Sequence, residues 1–321
     1  MNELDIIHRI NSLLTGIKFD ESESCKKNKL PSTFIIGCPR SGTTALLQYL
    51  AQTQGWTYPT NFVTRFSACP TMGLLVQKLL FENSDEFNKH QQSIEMYSEY
   101  GRSQGLLNTN EFFHFYRRFF PNNEVRYITP AELEKVDVSS MIEHISNFVS
   151  LDNKPFLSKG MMFQYNLNFF CQHLSEDIFL YIKRDPLYNM QSLYLARLKE
   201  FGCVEQWWSA KPRRFDELED MSVYDQIAGQ VLFTEQEIEK ELDEVPDDRK
   251  LVVNYEEFVK NPNLVLEQLV LLYEKKGIHL SSVINANTKI FNGNTKKVED
   301  DVWSQLVFSY ERINKMRSNI Q

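Results

Sequence analysis

The chain has 321 residues, 42% hydrophobic and 24% charged, which suits a soluble globular protein with a full-sized core. Its 35 basic and 43 acidic residues leave a net charge of −8, which argues against nonspecific DNA or RNA binding but not against a small anion held by a few local groups. Five scattered cysteines, Cys25, Cys38, Cys69, Cys171 and Cys203, form no C-x-x-C pair, so they argue against a disulfide framework or zinc site and fit reduced thiols in a cytoplasm.

Residues 1–15 mix acidic, basic and apolar side chains and do not read as a signal peptide. No stretch approaches the roughly 20 apolar residues that span a bilayer. Leu4, Ile6, Ile7, Ile10, Leu13 and Leu14 recur at helical spacing and predict an amphipathic opening helix. The polar run from Phe19 to Lys29 reads as a loop. Thr33-Phe34-Ile35-Ile36 is a short buried-strand pattern, and Ala45 to Leu50 continues as helix. Residues 71–82 and 131–149 read as helices, with Phe156-Leu157-Ser158-Lys159 as a second core strand.

Ile178 to Ile182 is the clearest strand. Asp185-Pro186 then starts a helix, since Asp caps free amides and Pro suits the first turn, and that helix runs to Gly202. A long helix over 224–244 leads to strand Leu251 to Tyr255, then helices Leu264 to Lys275 and Val298 to Arg317. Alternating strands and helices predict an α/β fold: a P-loop-type parallel sheet flanked by helices. With no repeat, low-complexity tract or linker in view, 1–321 reads as one domain carrying a helical, aromatic-rich insertion over roughly 60–150.

Strand, glycine-bounded loop and helix together point several backbone amides at one anion. Gly37 and Gly42 bracket four residues as in a Walker loop, but Thr43 stands where an NTPase needs lysine, and the basic residue is Arg40 inside the loop. The stretch Ile36-Gly37-Cys38-Pro39-Arg40-Ser41-Gly42-Thr43-Thr44-Ala45-Leu46-Leu47 resembles the 5′-phosphosulfate loop of sulfotransferases that use 3′-phosphoadenosine 5′-phosphosulfate, whose carbohydrate and tyrosyl-protein members carry P-R-S-G-T-T. The resemblance implies that Arg40, Ser41, Gly42, Thr43 and Thr44 hold the 5′-phosphosulfate. The family's second mark, an Arg after a strand with a Ser eight positions on, is matched by Arg184 and Ser192 and implies a 3′-phosphate site. A bidentate guanidinium suits that dianion. A third similarity, Val253-Asn254-Tyr255-Glu256-Glu257-Phe258-Val259-Lys260-Asn261-Pro262, puts Tyr255 either near the adenine or under the following helix. The Gly293-Asn294-Thr295-Lys296-Lys297 stretch occupies the place of a basic nucleotide loop without its R-K-G pattern.

Sulfuryl transfer is an in-line displacement that needs a cation and a base, and no metal is expected. Lys159 resembles the family's lysine at a strand end and is the implied cation. The base follows neither familiar pattern: Gly160 and Met161 replace K-T-H, and no acid stands within Tyr58 to Phe66. Asn108 to Arg118 resembles the E-F-x-x-F motif of bacterial sulfotransferase-like sequences, which nominates Glu111 or His114, on one face if the segment is helical, with His173 next in line. The expected activity is transfer to a hydroxyl of a sugar, lipid or small metabolite. A P-loop kinase or NTPase and an inactive nucleotide-binding module are the competing readings.

Overall fold

The computed structural model of the protein describes residues 2–17, 30–82, 98–99, 102–280 and 290–318. The loop read over Phe19–Lys29 lies outside the described residues.

Helix α1, Glu3–Leu14, opens with a capping box in which Asn2 and Asp5 bond each other's backbone amides. Its apolar spacing predicts a core face, yet no residue of it is buried; Leu4 is 67% and Leu13 74% exposed. The helix is attached by polar contacts instead: Asn11 Nδ2 donates to the Arg65 carbonyl (2.8 Å), Asn11 Oδ1 accepts from the Ala68 amide (2.7 Å), and Glu3 pairs with Arg65 (2.8 Å).

The frame is a parallel four-stranded sheet: β1 Thr33–Ile36, β2 Leu157–Lys159, β3 Ile178–Lys183 and β4 Lys250–Asn254, in spatial order β2-β1-β3-β4. Helix α2, Thr43–Gln52, follows β1, and α3, Pro70–Gln77, is prolonged by a π-turn over Lys78–Glu82. The single turn α4, Phe113–Tyr116, precedes α5, Val138–Asp152. The helix expected over 131–149 is divided: Pro130–Leu133 forms a separate turn, and Asp137 restarts the helix by accepting from the Ser140 amide (3.1 Å). Helices α6 (Leu167–His173), α7 (Pro186–Phe201), α8 (Val223–Asp243), α9 (Pro262–Lys275) and α10 (Asp300–Ser318) complete the layers. Asp185 caps α7 through the Leu187 and Tyr188 amides, and Gly202 ends it at φ 72°. Both ends stand where the Asp-Pro pair and the glycine predicted them.

Both faces of the sheet are covered, so its central strands are apolar without a break. In β1 and β3, Phe34, Ile36, Phe179 and Tyr181 face an aromatic core filled by Phe112, Phe115, Tyr116, Phe119 and Phe120. Ile35, Leu180 and Ile182 face the opposite cluster, which takes in Leu46, Leu50, Tyr255 and Leu266. Register pairs Ile36 with Tyr181 and Lys183 with Asn254, so the carboxyl ends of the strands finish close together. The sheet reverses its order at β1, and a crevice at such a reversal is where open α/β sheets hold ligands. No helix among the described residues is long and apolar enough to cross a membrane.

Candidate active site

The loop between β1 and α2 is built for close approach. A Cβ on Gly37 would lie 2.7 Å from the Ile182 carbonyl oxygen, and one on Gly42 would lie 2.5 Å from Tyr255 Cδ2. Gly42 also sits at φ 107° and Arg40 at φ 71°, a left-handed conformation that a non-glycine residue adopts at a cost. Two side chains hold the turn from outside: Asn189 Nδ2 donates to the Pro39 carbonyl (2.9 Å) and Arg184 Nη1 to the Arg40 carbonyl (2.9 Å). At the start of α2 no side chain caps the helix, which leaves first-turn amides such as those of Thr43 and Ala45 without intrahelical partners. The Ser41 hydroxyl, fully buried, has no hydrogen-bond partner among the described residues. Burial pushes the Cys38 thiol well above its ordinary value, so this loop cysteine is an inert packing group.

A cleft of about 1180 Å³ opens over the loop. Arg40, Gly42, Thr43, Thr44, Glu111, His114, Lys159, Arg184, Ser192 and Tyr255 all line it, whereas Ser41 lies beneath its wall. Arg40 Nε donates to Ser192 Oγ (3.0 Å), so the two arginine motifs meet in one place. Arg184 is 9% exposed, with Nε on Asn294 Oδ1 (2.7 Å) and Nη2 on the Gly293 carbonyl (2.8 Å) besides its bond to Arg40. Those three bonds use three of the five guanidinium N–H groups and leave two for a ligand. Burial holds its acidity constant below the usual arginine value.

Tyr255 begins a short helix, Tyr255–Lys260, because Asn254 caps it through the Glu256 and Glu257 amides. Its ring packs against Gly42 and under the Arg184 guanidinium, 4.8 Å from centroid to Cζ. Its hydroxyl donates to the Phe291 carbonyl (3.2 Å) and accepts from the Gly293 amide (3.0 Å). At 5% exposure it presents little more than an edge to the cleft. The broad free ring at this end belongs to Phe291, 74% exposed beside Lys297. Gln191 fastens the same segment through the Thr295 carbonyl (2.9 Å) and the Lys297 amide (2.6 Å). Phe291 and Gln191 were not singled out as site residues in the sequence, whereas Lys297 belongs to the Gly293–Lys297 stretch read there as the place of a basic nucleotide loop; Gln191 stands next to Ser192, but its partners lie more than a hundred positions away.

At the other side of the loop, Lys159 ends β2 with 3% of its side chain exposed. An ammonium so placed needs partners. Nζ donates to Thr44 Oγ1 (2.6 Å) and is paired with the Glu111 carboxylate. The extended segment before Glu111 is pinned by the Thr60–Thr109 bridge and by the Asn110 amide on the Pro59 carbonyl (2.8 Å). Phe112 then turns at φ 61° into α4 and stacks on Phe115, centroids 4.3 Å apart. Glu111 is therefore outside the helix, and the expected shared helical face with His114 does not form. His114 is an exposed residue of α4 on the cleft wall, and Glu111, not His114, is the one against Lys159. His173 is exposed on α6, away from the cleft lining. No cluster of three or more metal-ligating side chains occurs among the described residues.

The sulfotransferase family profile matches residues 31–274, which takes in both arginine motifs, Glu111, Lys159 and Tyr255. The chain belongs to the sulfotransferase family. Among solved structures, this sulfotransferase is similar to STF9 from Mycobacterium avium at 12% identity and a TM-score of 0.48, with 95% of this chain and 72% of that one covered. STF1 from Mycobacterium tuberculosis H37Rv matches at 13% identity and 0.47, covering 88% of this chain and 74% of that one. The sulfotransferase domain of the Synechococcus PCC 7002 olefin synthase matches at 16% identity and 0.43, covering 93% and 98%. No curated protein matches the chain.

Proposed function

We propose that the chain transfers a sulfuryl group from 3′-phosphoadenosine 5′-phosphosulfate to a hydroxyl of a carbohydrate, lipid or small metabolite. The observation that carries this reading is the single ammonium of Lys159, bonded at once to Thr44 of the phosphate loop and to Glu111. One cation thus joins the place where a leaving phosphate would sit to a carboxylate able to take a proton. The donor supplies the sulfuryl group and a bisphosphate leaving group. The uncapped start of α2 and the two spare N–H groups of Arg184 are fitting donors for its phosphates.

In this reading Arg40 and the amides of Gly42, Thr43 and Thr44 hold the 5′ end, Ser41 steadies the loop, and Arg184 with Ser192 holds the 3′-phosphate. Tyr255 supports that site from below and borders the adenine. Glu111 removes the acceptor proton as the new oxygen–sulfur bond forms and the bridging sulfur–oxygen bond breaks. Lys159 meets the electron pair left on the bridging oxygen. His114, on the acceptor side of the same wall, is the second candidate base. No metal is needed for these steps. Buried free thiols at Cys38, Cys69 and Cys171 support a cytoplasmic setting.

Adenosine 3′,5′-bisphosphate should raise the melting temperature far more than ATP at equal concentration, with or without magnesium, since stabilisation grows with ln(1 + [L]/Kd). Equal shifts, or a shift that requires magnesium, would return the chain to the kinase or NTPase reading.

A further inference from the structure

In the proposed reaction nearly every charged side chain of the cleft has an assigned partner or task. Arg40, Arg184 and Lys297 stand at the nucleotide end, Lys159 is paired with Glu111, and Glu124 is held by Lys211 (2.7 Å) and Arg126 (3.6 Å). Arg117 is left over. It lines the cleft directly after α4, yet it forms no ion pair and no side-chain hydrogen bond among the described residues. Its Nε is buried without a hydrogen-bond partner among the described residues, and its guanidinium lies over the face of Phe113, 5.3 Å from Cζ to the ring centroid.

The local fold sets that direction. Phe112, Phe115, Tyr116 and Phe119 are all buried in the aromatic core, so Phe113, His114 and Arg117 must share the opposite, cleft-facing side. Arg117 stands one turn beyond His114 on the wall that Glu111 begins, which is the acceptor side of the cleft. A partly buried guanidinium whose terminal N–H groups have no hydrogen-bond partner among the described residues is poorly satisfied until an anion in the cleft reaches them.

We infer that Arg117 is an anion-binding residue of the acceptor arm, and that the acceptor is a hydroxyl compound carrying a carboxylate. This rests on the proposed transfer reaction for the identity of the arm, though not for the existence of the anion site. A monoanion such as a carboxylate fits better than a phosphate ester, which is largely a dianion at neutral pH, because Glu111 and Glu124 line the same cleft and disfavour a second negative charge. Asn110, Asn123, Trp208 and Ser209 also line the cleft and offer amides, a hydroxyl and a ring face, which suit a polyol of sugar-acid size.

The test compares D-glucuronate with D-glucose, which share hydroxyls and differ in the carboxylate, by calorimetry on the protein saturated with adenosine 3′,5′-bisphosphate. Glucuronate should bind at least about tenfold more tightly than glucose. Arg117→Met, which keeps an unbranched chain against Phe113, should abolish that difference while leaving bisphosphate affinity unchanged. Arg117→Lys should retain part of it and serves if the methionine variant does not fold. Equal binding of the two sugars to the unsubstituted protein, or a preference that survives in Arg117→Met, overturns the proposal. If the bisphosphate itself fails to bind, the donor reading is at fault, and the same comparison on the free protein still decides the Arg117 site.

Discussion

Arg184→Ala separates the loop-tying job that the structure gives Arg184 from the phosphate-binding job proposed for it. In the free protein Arg184 ties the loop between β1 and α2 to the 293–294 segment through three hydrogen bonds of 2.7 to 2.9 Å, and it is 9% exposed. Losing them leaves carbonyls that incoming water can partly satisfy, so a cost of roughly 2–4 kcal/mol is expected, less than the sum of three charged bonds. That corresponds to a fall on the order of 3–6 °C in the ligand-free melting temperature. The two remaining N–H groups are the proposed 3′-phosphate donors. Removing that contact should weaken adenosine 3′,5′-bisphosphate by about 1.5–3 kcal/mol, or roughly 10- to 150-fold in Kd. Scanning calorimetry of the free protein reads the first effect, and titration calorimetry well below the lowered melting point reads the second. A lowered melting temperature with Kd unchanged within about twofold would refute the phosphate role and leave Arg184 a strut between two loops.

Glu111→Gln should keep bisphosphate affinity and lose turnover by about 10²–10⁴-fold, with His114→Ala as the paired variant; a large loss in the histidine variant alone would move the base to His114. Gly42→Ala should cost at least about 2 kcal/mol in denaturant unfolding, because the residue sits at φ 107° and its Cβ would meet the Tyr255 ring at 2.5 Å; a stability equal to that of the parent would contradict the loop packing. Burial raises the Glu235 carboxyl to about 7, with Lys183 opposing and Glu239 reinforcing the shift. The folded state therefore holds that proton more tightly than the unfolded one, and stability falls as pH rises from about 4.5 through 7. Glu235→Gln should raise the melting temperature at pH 8 and change it little at pH 5, and an equal change at both would refute the assignment.

What the sequence made legible was local. The β1–loop–α2 unit, the Asp185-Pro186 start and the Gly202 stop of α7 each depend on residues within a few positions of one another, and each stands where it was read. The long-range ties were hidden. Nothing near Arg184 tells that its Nε meets Asn294, because that contact depends on how the chain returns after α9. The Glu111 segment was open for a different reason: spacing puts Glu111 and His114 on one face only if a helix holds both, but Phe112, buried in the aromatic core, takes a left-handed turn that leaves Glu111 outside the helix against Lys159. In α1 the apolar period is real, yet periodicity cannot tell whether a neighbour exists to cover it. Arg117 was passed over because an arginine among six aromatic residues reads as a surface charge until its unmatched donor is seen in place.

The parallel sheet also has a far edge. The turns there, around Asn153, Ser175 and Pro246, contribute no side chain to the cleft. Arg249 closes that edge by donating to the carbonyls of Asp177 (3.1 Å), Cys171 (3.4 Å) and Leu174. Just outside this closure Asp247 has 98% of its side chain in solvent. With Cys25 and Cys203 replaced by serine, a dye or a solid support coupled through a cysteine placed at position 247 would therefore hold the molecule by its back, with the mouth of the cleft turned to the bulk solution. Uniform orientation of that kind suits surface-based measurement of weak acceptors, where a randomly attached enzyme would present a fraction of its sites to the wall.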